Sequence, residues 1–277
     1  MIIKRYFSEN IFEQHVKNDF GFLIDKIIQS GFEYDLQIRD NYFNLYYKGN
    51  SIGKVSYNTR TNLYKITIHN KFINQKIEAK FIPKKEGAYL AFTLTKGQLH
   101  PLFSSKNLLS MAQKVKEIYY QEETTFEQMI MTDNINRQDL IIIDRQIVDE
   151  KHKAKMDLLA LAQKSNNYYQ FCVIEVKLGN NPELRGYVAT QIRGYIKQIT
   201  ENFSDYKNCY EKNFEQKQDL GLLGKNLKID IIPGIQHLVV VLGYSGIAKE
   251  SIKELKKKDP EINVLHLKNI IDLLKTI

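Results

Sequence analysis

The sequence predicts a two-domain protein of mixed class, α/β in the α+β sense. A smaller α+β domain with an antiparallel β-meander spans residues 1–104, and a domain with the element order α-β-β-β-α-β spans residues 105–277. Three observations lead there. Residues 33–95 carry short aromatic and β-branched runs separated by turn residues. Beyond residue 104 the strands lengthen and alternate with helical patterns. At 277 residues and 43% hydrophobic content the chain is long enough for two cores, and 14 Gly and 5 Pro exclude collagen-like repetition and wholesale disorder.

Ser8 to Gly31 reads as one amphipathic helix, with Ser8 as its cap, Ile11, Phe12, Phe20, Leu23, Ile24, Ile27 and Ile28 as its apolar face, and Gly31 as its stop. Strands are expected over Tyr42–Tyr47, Ile52–Tyr57, Leu63–Ile68 and Ala88–Leu94, with turns at Lys48-Gly49-Asn50 and Asn58 to Asn62. Lys96 to Pro101 reads as a linker, placing the domain boundary near residue 104, and a long helix follows from Ser105 to Met131. Strands are then expected at Leu140–Val148, Met156–Leu161 and Tyr169–Leu178, followed by a helix from Glu183 to Glu201. After a polar segment from Asn202 to Asn226 come an apolar strand (His237–Leu242), a helix after Ser245, a short strand (Ile262–Leu267) and a final helix.

Charge and cysteine content narrow the function classes. Lys+Arg 40 against Asp+Glu 32 gives a formal +8, a bias toward anionic partners. The excess is uneven: residues 1–104 hold 12 Lys and 3 Arg against 4 Asp and 5 Glu, or +6, and the rest is +2. Cys172 and Cys209 have neither zinc-ligand nor disulfide-scaffold spacing, which fits a reducing cytoplasm. No apolar run approaches the roughly 20 residues of a membrane span, and the first residues lack secretory-signal character, so a cytoplasmic location is expected.

The stretch from Phe171 to Gly179 carries the chemistry. Strand side chains alternate faces, so Cys172, Ile174, Val176 and Leu178 form an apolar face and Phe171, Val173, Glu175 and Lys177 share the other. An acid and an amine on a core strand need a reason, since burying either alone costs several kcal/mol. Asp157 repeats the anomaly one strand earlier, and a hairpin across Ser165-Asn166-Asn167 brings it beside Glu175. Two converging carboxylates suit Mg²⁺, which binds through one or two carboxylates, waters and substrate phosphate, and a nearby lysine orients an attacking water. A structural salt bridge at a strand end is the alternative. The histidines His15, His69, His100, His152, His237 and His266 lack metal spacing, although His152 lies near Asp157. The segment Gly221 to Asn226 fails the P-loop pattern and reads as a turn, and Gly243-Tyr244-Ser245-Gly246 reads as a capped connection or a phosphate cradle. Lys256 to Lys258 reads as a solvated helix end.

Asp157, then Glu175-Val176-Lys177 on the next strand, then a helix, resembles the PD-(D/E)XK nuclease superfamily, whose core order is α-β-β-β-α-β. Gln191 and Tyr195, four apart on the following helix, resemble its RecB-like branch; this spacing puts them on one helix face, beside the stripe of Leu184, Val188, Ile192 and Ile199. Phe126-Glu127, Leu140 to Gln146, Asp157-Leu158-Leu159 and Val173 to Lys177 are similar to NucS-type endonucleases, though residues 1–104 are not, and Met156 stands where the superfamily's name has proline. The resemblance implies a restriction-endonuclease-like fold and a Mg²⁺-dependent deoxyribonuclease, with Mn²⁺ able to substitute. It implies Asp157 and Glu175 as metal ligands, Glu127 as a further acid (with Glu122 and Glu123 competing), and Lys177 as the residue that positions the water. Gln191 and Tyr195 order the site, and Arg145, Gln146 and, from the second helix, Arg185 lie near DNA; Arg193 points to solvent.

The expected partner is single- or double-stranded DNA rather than a membrane, in repair or in defence against foreign DNA, with a homodimer as one arrangement for cutting both strands. A non-catalytic nucleic-acid-binding module, an RNA-cleaving enzyme and a ligand-gated nuclease are the alternatives. In residues 1–104, Tyr42, Phe43, Tyr46, Tyr47, Tyr57 and Tyr64 either stack on bases or build a small core.

Overall fold

The computed structural model describes residues 3–118, 122–148, 155–224 and 227–268. Its contacts divide the chain into two compact units, Met1–Asn136 with Lys207–Leu227, and Arg137–Tyr206 with Lys228–Ile277. Both are mixed α and β, and among the described residues no helix is long and apolar enough to cross a membrane.

The first unit is built on an antiparallel sheet of order β1-β2-β3-β4-β6-β5, comprising β1 (Tyr34–Arg39), β2 (Tyr42–Tyr47), β3 (Asn50–Asn58), β4 (Leu63–His69), β5 (Lys84–Glu86) and β6 (Tyr89–Leu94). Turn chemistry sets the register. Lys48 and Gly49 both take positive φ (45° and 75°) between the paired residues Tyr47 and Asn50, the requirement of a two-residue hairpin loop whose twist matches its strands. The aromatic meander divides by face. Phe43, Tyr47 and Tyr64 are core and Tyr46 is also buried; Tyr57, stacked on His15, and Tyr42, under the Lys54 ammonium at 3.9 Å from its ring centroid, lie half-exposed. Base stacking by this set of rings therefore has little surface to work with.

Strands β1 and β5 and the helix Gln75–Phe81 stand where no element was expected, and four further segments differ from expectation. The helix expected over 8–31 is broken at Phe20, where φ is −115°; the ring turns into the core, edge-on to Phe43 and Tyr64, and Gly21–Gln29 continues as a separate helix. Lys96–Leu102 is a helix rather than a linker, held by a capping box between Thr95 and Gln98 and by buried Leu99 and Leu102. The helical run after it is two helices, Ser105–Ile118 and Glu122–Asp133, with Tyr119 outside the described residues. Leu108, Met111, Ala112 and Val115 of the first helix belong to the first unit's core, so the contact boundary falls after residue 136 and not near 104. Finally, the polar stretch after Asn202 is helical over Phe203–Asp219. Its buried stripe of Tyr206, Cys209, Tyr210, Asn213, Phe214 and Lys217 keeps helical spacing but draws on polar residues.

The second unit holds a mixed sheet of order β11-β10-β9-β8-β7, comprising β7 (Leu140–Val148), β8 (Lys155–Ser165), β9 (Tyr168–Leu178), β10 (Asp230–Leu242) and β11 (Val264–Leu267). β7, β8 and β9 are antiparallel, while β10 runs parallel to both β9 and β11. The β8–β9 hairpin turns at Asn166-Asn167, with Asn166 at φ 40°. Helix Val188–Glu201 lays Val188, Ala189, Ile192, Tyr195 and Ile199 inward, and β9 is buried on both faces. Helix Ser245–Lys258 precedes β11 and ends in the three exposed or half-exposed lysines expected there. The final helix lies outside the described residues.

Candidate active site

Three strands bring the acids to one place. In the β8–β9 ladder Leu158 pairs with Ile174 and Leu159 with Val173, so Asp157, on the face of Leu159, stands beside Glu175, on the face of Val173. The Asp157 carboxylate accepts a hydrogen bond from the Val176 N–H at 2.9 Å. On β7, Gln146 falls between the pairs Arg145–Leu158 and Ile147–Met156 and so faces Asp157; it takes a left-handed φ of 54°.

Glu175 and Lys177 are 1% and 6% exposed, an acid and an amine buried side by side. Their pairing answers the burial problem. Lys177 Nζ lies 2.9 Å from Glu175 Oε1 and 2.8 Å from Glu183 Oε2. Burial alone lowers the lysine pKa, but the Glu175 charge, hydrogen bonds to Glu183 and Glu175, and the Asp157 charge together override it and raise it above the ordinary value. Lys177 is thus a fixed ammonium at neutral pH.

Glu183 was not singled out by its sequence position, six residues past Lys177 in a turn. Asn181 caps that turn by accepting from the Glu183 N–H at 3.0 Å, and buried Leu184 anchors it. Gly179 permits the approach of this loop to the next: an added Cβ would strike the Gly243 carbonyl oxygen and lie 2.7 Å from Ala248 Cβ. The Gly243-Tyr244 turn, with both residues at positive φ, therefore serves close packing.

Tyr195 and Gln191 lie on the sheet-facing side of their helix. The Tyr195 hydroxyl donates to the Lys155 carbonyl at 2.8 Å. Burial first, then the charges of Glu175, Asp157 and Glu183 together with Tyr187, raise its pKa, so it stays neutral. Gln191 Oε1 is buried without a hydrogen-bond partner among the described residues.

The remaining expected residues lie on several elements. Glu127 is 2% exposed on helix Glu122–Asp133 in the first unit, where Thr132 of the same helix donates to the Phe32 carbonyl at 3.2 Å; Glu122 and Glu123 are half-buried. Arg145 is fully buried and shares its face of the sheet with Leu158 and Ile174, not with the acids. Its neighbour Asp144 does share the acids' face and is also fully buried, an anomaly legible in the apolar run of β7. Arg185 is held at helix Ser245–Lys258, its Nε 3.3 Å from Ser251 Oγ, and exposed Arg193 pairs with Asp259 and Glu261. His237 bonds the backbone around Glu261 and Asn263, and His152 lies outside the described residues.

Among the described residues no group of three or more His, Cys, Asp and Glu side chains is disposed to hold a metal ion. Two carboxylates are nonetheless sufficient for Mg²⁺, which completes its shell with waters and phosphate oxygens. The buried Gln191 oxygen lacks a donor that a bound water would supply. The donor set at Asp157 and Glu175 therefore fits that ion. No family model, curated protein or solved structure matches the chain.

Proposed function

We propose that the chain is a Mg²⁺-dependent nuclease that hydrolyses DNA phosphodiester bonds, an endonuclease of the PD-(D/E)XK kind. The observation that carries this reading is the convergence of Asp157, Glu175 and Lys177 on one face of two paired strands, with Lys177 Nζ 2.9 Å from Glu175 Oε1. Three antiparallel strands followed by a fourth parallel to the third, with a helix carrying Gln191 and Tyr195 between them, support a restriction-endonuclease-like core.

Asp157 and Glu175 would hold the ion, which when bound supplies Lewis-acid polarisation of the scissile phosphate and lowers the pKa of a water. Lys177, fixed as an ammonium by Glu175 and Glu183, donates hydrogen bonds and offsets the charge that grows on the phosphate oxygens. Its ammonium hydrogens are placed to orient the attacking water. The Tyr195 hydroxyl fixes the Lys155 carbonyl at the start of the strand that carries Asp157.

The test is to incubate wild type, Asp157→Ala and Lys177→Ala with single- and double-stranded DNA and RNA in Mg²⁺, Mn²⁺ or chelator. Metal-dependent cleavage of DNA, abolished by Asp157→Ala and reduced at least about 100-fold by Lys177→Ala, is expected. Binding without cutting under every condition would favour a non-catalytic module.

A further inference from the structure

At the edge of the first unit's sheet, one residue is held in a conformation its chemistry disfavours. Ile82 ends the helix Gln75–Phe81 with φ 45° and ψ 62°, the left-handed region, where a β-branched side chain is an outlier and Gly or Asn is usual. Nothing in the core rewards the choice, because Ile82 is 85% exposed. The helix that Ile82 ends is firmly set at its start. Asn74 Oδ1 accepts from the Ile77 N–H at 3.0 Å, Asn74 Nδ2 donates to Ser110 Oγ at 2.6 Å, and Ile77 is buried. The Ile82 N–H donates to the Glu78 carbonyl at 2.9 Å. The fold thus presents an apolar tip on a fixed base.

The surroundings of that tip are cationic. Lys76 and Lys80 are exposed on the helix, and Lys84 and Lys85 are exposed on β5, immediately after Pro83. Of the nearby acids Glu78 and Glu86, the second is held by Lys65 at 3.0 Å. The register sets two of the lysines in one row: Lys84 pairs with Ala91, Ala91 with Thr67, and Thr67 with Lys54. Lys84 and Lys54 therefore stand three strand spacings apart in one row, about 14 Å.

We infer that this edge binds duplex DNA, with Ile82 as a wedge that enters the minor groove and opens a base step while the flanking lysines hold phosphates. An isolated aliphatic tip amid ammonium groups matches a bent duplex better than a lipid surface, which calls for a broader apolar face. Here the helix face that could supply one is turned inward at Ile77. The choice of DNA rests on the nuclease reading; the wedge itself rests on Ile82 and its lysines.

The experiment uses the full-length chain carrying Asp157→Ala, in chelator, with a short duplex labelled at both ends for energy transfer and read alongside fluorescence anisotropy. The parent should bind and shorten the end-to-end distance. Adding Ile82→Asn, a residue that accepts the left-handed conformation, should abolish the shortening with thermal stability kept and the salt dependence of affinity unchanged. Adding Lys84→Gln and Lys85→Gln should lower the slope of log affinity against log salt by about two. Equal shortening with and without Ile82, an unchanged slope in the lysine variant, no binding by the parent, or sedimentation with phosphatidylserine vesicles that depends on Ile82 without DNA bending would each overturn the inference. A chain that bends DNA through Ile82 but whose wild type never cuts would overturn the nuclease reading alone.

Discussion

Lys177 shows how a single side chain changes meaning between sequence and structure. Alternation on the strand placed it beside Glu175, and the 2.9 Å contact agrees. Its second carboxylate, Glu183, was not legible, because a turn brings it back after Gly179-Asn180-Asn181 and no period in the sequence encodes that return. Arg145 is the opposite case. It was placed near DNA by resemblance alone, and the strand register turns it into the buried face. Gly179 is where the returning loop is most exacting. Since the neighbours of an added Cβ include the Gly243 backbone carbonyl, they yield only by moving the chain. Gly179→Ala should destabilise the protein by about 1–3 kcal/mol in urea melts and lower any cleavage through displacement of Lys177 and Glu183. A variant as stable as wild type would mean that the loop adapts freely.

At the scale of elements, strands with a clear apolar pattern are legible, whereas β1, β5, the first half of β10 and helices with polar faces are not. β2 and β7 occupy the residues their alternation and β-branched content indicated, because buried strands leave a direct hydropathic trace. The helix Phe203–Asp219 leaves none, since Asn213 and Lys217 stand in its buried stripe. Asn213 donates to the Arg5 carbonyl and Lys217 to Gln37 Oε1, so its inward face is satisfied by hydrogen bonds as well as by apolar packing. Lys96–Leu102 was missed because Gly97 and Pro101 read as breakers, although the Thr95-x-x-Gln98 signature was present. The Thr95 hydroxyl donates to Gln98 Oε1 at 3.2 Å, a bond that alanine cannot make. Thr95→Ala should therefore cost about 1 kcal/mol of stability by chemical denaturation, and no loss would show that buried Leu99 and Leu102 alone hold the helix.

Across the whole molecule, the change in sequence pattern points to a boundary near residue 104, whereas the contacts divide the chain after residue 136. The helix Ser105–Ile118 looks like the start of the second half in sequence and is packed into the core of the first. Buried tyrosines give the chain a pH signature. Burial, with the charges of Tyr47 and Glu33, pushes Tyr34 up to about 12, and burial with Asp19 raises Tyr64 further. Burial with neighbouring charges raises Tyr195 as well. The folded state thus keeps protons that the unfolded chain releases near pH 10, and Lys177, raised above 10.5, acts in the same direction. Their contribution is complete below pH 10 and is lost as pH rises toward the folded values. Urea midpoints should be flat near neutrality and fall between pH 10 and 12, whereas a midpoint constant across that interval would contradict these raised values.

The central claim joins Asp157 and Glu175 to phosphodiester hydrolysis, and supercoiled plasmid tests it most directly. In Mg²⁺ the wild-type chain should nick or linearise the plasmid, while chelator, or Asp157→Ala in the presence of Mg²⁺, should leave it supercoiled. Cleavage by Asp157→Ala at the wild-type rate, or an intact plasmid after prolonged incubation of folded wild type with Mg²⁺ or Mn²⁺, would contradict it.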